Sequence, residues 1–180
     1  MTLVVAVIVA WRVLGSLPVL RWPFAGALLS IAVDLLDLLL IGVLGWEGVD
    51  DYQALDKYLD QVQLALFLVV ALRRWSGTER RVAVALYAYR IVGFVAFELT
   101  GNRPVLLLFP NVFEFWFVLV AGLHAAGRTV TWTPRRTLIT LAALTGLKEI
   151  QEWALHAARL FDQITFLDAL RLIWRTLTGG

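Results

Sequence analysis

The chain contains no cysteine, which excludes disulfides, thiolate catalysis, iron–sulfur clusters and thiolate zinc sites. Charge is scarce: 17% of the residues are charged, where about 25% is usual in soluble domains. Several catalytic strings are missing as well. There is no Gly-rich phosphate loop, no G-x-S-x-G elbow, no H-E-x-x-H and no Cys–His pair. A nucleophilic hydrolase is therefore poorly supported. No linker, low-complexity tract or internal repeat divides the 180 residues, which read as one domain.

What the sequence does hold is apolar. Hydrophobic residues make up 60%, against roughly 45–50% in ordinary domains, and the mean hydropathy is +0.77. A soluble core of this size could not hide so much apolar surface. The predicted fold is all-α, a polytopic membrane helix bundle forming a single integral membrane domain. Spans are predicted at about 3–20, 23–45, 52–74, 82–100, 105–126 and 137–158, each near the length a bilayer needs. A peripheral amphipathic helix follows at 165–177, with Leu167, Leu170, Trp174 and Leu177 on one face. It reads as an interfacial helix or as a docking face for another subunit. The first residues, Met1 to Val5, carry no basic segment or A-x-A-like cleavage site and read as an uncleaved first span. Trp22 and Trp46 flank the second span at a separation of roughly 36 Å, as interfacial anchors would.

The loops alternate in charge. Arg21, then Arg73, Arg74, Arg80 and Arg81, then Arg128, Arg135 and Arg136 mark loops 1–2, 3–4 and 5–6, whereas loop 2–3 is rich in acids from Glu47 to Asp60. The positive-inside rule places the arginine loops in the cytoplasm of a bacterial-type plasma membrane, with both termini outside. The net charge of +2 comes from these arginines and is read as a topology signal, with no nucleic-acid partner implied. In span five, Pro110 disfavours helix before it, and Asn111-x-x-Glu114 fits a capping box, so the helix proper is predicted to begin near Asn111. The irregular piece before it must then face protein or a wet cavity.

Acidic residues inside apolar spans need a reason to be there. In span six, Thr145, Glu149, Glu152 and His156 share one helix face, and in span two Gly26, Ser30, Asp34 and Asp37 share another. Span three brings Gln53, Asp56, Asp60 and Gln63 on one face just under the outer surface, with Asp60 counted among the acids; span four adds Arg90 and Glu98, and span five adds Glu114. If these faces meet, they form an outward-opening bowl with more acids than bases. Unpaired carboxylates in low dielectric must hold protons, bind cations or sit in water. Glu149, Glu152 and His156 are candidate ligands for a divalent metal ion, the one cofactor considered. Asp34, Asp37, Glu98 and Glu114 are candidate cation- or proton-binding groups, and Arg90 is expected to neutralise part of their charge. His156 is a metal ligand or a proton relay. The bland alternatives stay open: acids paired with Arg12, Arg90, Lys148 or Arg159, Glu114 acting as a cap, and His124 matched to a helix C-terminus. The expected function is binding of a cation or proton for transport or conductance. The expected partners are the lipid bilayer and further copies or other membrane subunits. Two alternatives are a non-catalytic assembly subunit of a larger membrane complex and a metal-dependent intramembrane enzyme acting on a lipid head group.

Overall fold

The computed structural model describes residues 3–43, 52–101, 105 and 108–152, with side chains at 5–36, 55–101, 105 and 108–151. Every regular element among them is helical: α1 (Leu3–Ser16), a 3-10 turn (Leu17–Leu20), α2 (Pro23–Val43), α3 (Tyr52–Arg74), α4 (Gly77–Thr100), α5 (Val112–Ala125) and α6 (Pro134–Glu152). The predicted helix at 165–177 lies outside the described residues.

The helix boundaries follow from local chemistry. Pro18 and Pro23 punctuate the first chain reversal, where the Trp22 amide donates to the Pro18 carbonyl at 2.9 Å. Gly101, at φ 62°, ends α4 with its amide bonded to the Phe97 carbonyl, a left-handed cap that suits a residue without Cβ. Pro134 opens α6 from its first position, and the Arg136 amide donates to the Thr133 hydroxyl at 3.3 Å. Helix α4 begins at Gly77, earlier than the predicted 82, with Ser76 in extended backbone as its N-cap. Helix α6 likewise begins three residues before the predicted 137.

Helices α1 and α2 form a tight hairpin. An ideal Cβ on Gly26 would lie 2.3 Å from the Val19 amide nitrogen, and one on Gly15 would meet Val33 at 2.7 Å. The polar edge of α2 therefore turns toward α1: the hydroxyls of Ser16 and Ser30 are 2.8 Å apart and buried. This differs from the expected meeting of α2 with span six. Consecutive elements usually pack side by side, and here small residues let the two backbones approach.

Helix α5 is the centre of the molecule. Phe113, Trp116 and Phe117 are fully buried, and Phe67 of α3 stacks on Phe117 at 4.4 Å between centroids. Phe113, Trp116 and Phe117 thus belong to the packed interior. The helix begins at Val112 after Asn111. Before it, the carbonyls of Leu108 and Phe109 accept hydrogen bonds from Tyr89 and Arg90 of α4, the latter at 2.8 Å. Phe109 lies against Gly93, whose missing side chain makes the room. The Leu108 and Phe109 carbonyls are thus satisfied by side chains of α4.

Among the described residues, α4 alone is both long and apolar enough to cross a membrane; shorter apolar helices occur at Val5–Leu20, Pro23–Leu36 and Val112–Ala125. Only Ala83 and Gly93 of α4 are buried, and Val92, Val95 and Leu99 stand outward.

Candidate functional site

Three helices bring one guanidinium and three carboxylates together. Arg12 of α1 is only 2% exposed. It pairs with Asp34 of α2, lies 2.6 Å from Asp60 of α3, and lies 3.5 Å from Asp56 one turn earlier on α3. Asp56 and Asp60 share a face because they are four residues apart. One oxygen from each of the three aspartates falls within 4.8 Å of the others. The depth of the cluster follows from helix rise. Asp34 is eleven residues beyond Pro23 and Asp60 fourteen before Arg74, which is roughly 16 and 21 Å at 1.5 Å per residue. The cluster therefore sits level with the middle of α2 and with the first half of α3, Asp56 and Asp60 being four and eight residues past Tyr52.

Further charge lies near it. Glu114 of α5 and Arg90 of α4 are close enough to act electrostatically on Asp60. Among the described residues, four carboxylates thus gather around two guanidinium groups. Arg90 also holds the Phe109 carbonyl, so it serves structure and charge at once. Glu114 accepts from the Asn111 amide group at 2.9 Å. The capping-box residues do meet, but through their side chains, and Asn111 makes no side-chain cap bond. Buried acceptors accumulate here: the Oε1 of Gln63, one turn past Asp60, and the Oδ1 of Asn111 have no hydrogen-bond donor among the described residues. A buried orphan acceptor is costly, and native proteins carry few of them.

The other predicted site residues fall elsewhere. Glu98 is exposed near the end of α4 and accepts a bond from Tyr58 at 3.3 Å. Glu149 is exposed on α6, a helix that packs against α5. Lys148 beside it is buried and donates to Gln151 at 3.0 Å. The side chains of Asp37 and Glu152, and all of His156, lie outside the described residues. Two of the three expected metal ligands, Glu152 and His156, thus have side chains outside the described residues. A metal at the aspartates would meet a different condition. Three carboxylates suit a hard cation, but the Arg12 guanidinium lies among them and would have to withdraw.

A second constellation was not anticipated. Glu79, in the first turn of α4, joins three elements at the arginine-rich end. Its Oε1 accepts from the Trp132 indole at 2.9 Å, and its Oε2 lies 2.9 Å from Nε2 of His124 at the end of α5. A carboxylate only accepts, so His124 carries its hydrogen on Nε2. The Trp116 indole donates to the Glu79 carbonyl at 3.2 Å. Ser76-Gly77-Thr78-Glu79 has the spacing of a capping box, a signal that marks the helix start. That signal does not reveal that Glu79 turns away to bind Trp132 and His124.

Compared with known proteins, the chain matches no protein-family model, no curated protein and no solved structure.

Proposed function

We propose that this is a polytopic helical membrane protein with an arginine–carboxylate centre at mid-depth that binds and releases protons, in the service of proton or small-cation passage. The observation that carries the reading is the stoichiometry around Arg12. One buried guanidinium faces Asp34, Asp56 and Asp60, with Glu114 and Arg90 in Coulombic range. Carboxylates held this close are expensive to ionise together, and a proton is the smallest group that relieves their repulsion. A proton needs no space, whereas a metal must displace Arg12.

The membrane reading rests on the apolar exterior. Leu14, Leu99, Leu108, Leu138 and Ile150 are each at least 64% exposed, and the apolar helix α4 has few buried residues. Lipid solvates such a surface and water does not. The arginine loops gather at one end: Arg74 donates to the carbonyls of Leu20 and Arg21, and Glu79 ties loop 3–4 to Trp132 of loop 5–6. In this reading that end faces the cytoplasm, and the protein sits among lipids and further copies or other membrane subunits.

The second reading is a structural subunit in which Arg12 locks α1, α2 and α3 in register. The burial of Arg12 and its direct contacts with two acids favour it. Reconstituted vesicles separate the two. Wild type is expected to dissipate an imposed pH gradient faster than protein-free vesicles, and Asp34→Asn/Asp60→Asn to lose about tenfold of that rate. Equal rates for wild type and empty vesicles would leave the structural reading.

A further inference from the structure

We propose that the cavity at the arginine-rich end binds a phosphoryl group, as the head group of an anionic phospholipid or as free phosphate. The inference goes beyond the proton centre, which lies elsewhere along the helices, and its phospholipid arm rests on the membrane reading. The cavity has a volume of about 380 Å³ and is walled by Arg74, Ser76, Thr78, Glu79, His124 and Thr129 with Val130 and Trp132. Four segments supply these walls: the end of α3, the start of α4, the end of α5 and the stretch that leads into α6.

The electrostatics favour an anion. Residues 73–81 and 128–136 hold seven arginines and one acid, Glu79. Both Glu79 oxygens face donors, the indole of Trp132 and Nε2 of His124, which offset its charge. Beside these groups and the apolar Val130, the space is lined by the Arg74 guanidinium and the hydroxyls of Ser76, Thr78 and Thr129. The Ser76 hydroxyl makes no capping bond to the first turn of α4. Arg81 approaches the Thr78 hydroxyl at 3.4 Å, which brings a second guanidinium to the rim. Phosphoryl oxygens accept bonds from guanidinium and hydroxyl groups together, and several such donors are needed to replace their hydration.

The walls are held before any ligand arrives. Trp116 and Trp132 pack at 4.8 Å between centroids, and Trp75 packs on Phe117 at 5.0 Å and on His124 at 6.1 Å. A cavity framed by tryptophan at a basic membrane edge matches the level of lipid head groups.

The test titrates purified protein in an uncharged detergent and follows its thermal unfolding and tryptophan emission. The probes are inorganic phosphate, short-chain phosphatidylglycerol and short-chain phosphatidylcholine. Saturable binding of phosphatidylglycerol or of inorganic phosphate, with phosphatidylcholine at least about tenfold weaker, is the expected result. Preference for the glycerolipid identifies a head-group site, and equal binding identifies a site for free phosphate. Arg74→Gln should weaken binding about tenfold. Because Arg74 also anchors Leu20 and Arg21, the exposed Ser76→Ala/Thr129→Leu variant repeats the test without touching that anchor. No saturable binding by either anion, or wild-type affinity in the folded Ser76→Ala/Thr129→Leu variant, would overturn the proposal.

Discussion

Arg12 is the residue on which the mid-depth cluster depends. Breaking a buried ion pair leaves uncompensated charge, a loss of roughly 3–5 kcal/mol. Asp34, Asp56 and Asp60 keep about a third of their side-chain surface exposed, so Arg12→Leu should fall at the low end, about 3 kcal/mol. Unfolding in mild detergent measures it. Adding Asp34→Asn and Asp60→Asn to Arg12→Leu should recover most of the loss, because the stranded charges go with their partner. At the other end, Glu79→Ala removes the acceptor of the Trp132 indole and should cost about 1–3 kcal/mol. The same variant should shift tryptophan emission, since Trp132 loses a charged neighbour. The composition of the Arg12 cluster was partly legible in the sequence. Asp34 and Arg12 both stood out as charges in apolar stretches, and their pairing was one of the two readings left open. Asp56 and Asp60 also read as sharing one face of the third span, with Asp60 among the acids of the bowl, but spacing along one helix does not say that this face meets Arg12 of α1.

At the scale of the helix, glycine positions separate packing from propensity. Gly26 admits the backbone of Val19, so Gly26→Ala should prise the 3-10 turn from α2 and destabilise by about 1–3 kcal/mol. A Cβ added to Gly146 of α6 would meet nothing within 4 Å among the described residues. Gly146→Ala should therefore stabilise by up to about 1 kcal/mol through helix propensity alone. Thermal unfolding of both variants checks the contrast in sign. Helix positions were legible because prolines and glycines punctuate the chain: Pro18, Pro23, Gly101 and Pro134 all sit at boundaries. Helix partners were less so. Periodicity places Ser30 and Asp34 on one face of α2, but it does not say which neighbour that face meets. Gly15 and Gly26 decide it in favour of α1, through a fit between backbones that periodicity does not encode.

For the whole molecule, α1, α2, α4 and α6 carry outward apolar side chains, and in the proposed reading lipid covers them. Between helices in lipid there is little hydrophobic drive, so close packing and polar contacts carry association. The aromatic packing around α5 and the ion pairs of Arg12 meet that need. The protein should stay with the membrane fraction through alkaline or high-salt washing and be released by detergent; release by salt alone would contradict the bilayer reading. The most direct measurement of the central claim is infrared difference spectroscopy of the protein in lipid as the buffer is cycled between acid and alkali. A reversible carboxyl C=O band that is lost in Asp60→Asn or Asp34→Asn is the predicted result. A wild-type spectrum with no such band, or one unchanged in both variants, would contradict proton binding at Arg12 and its aspartates.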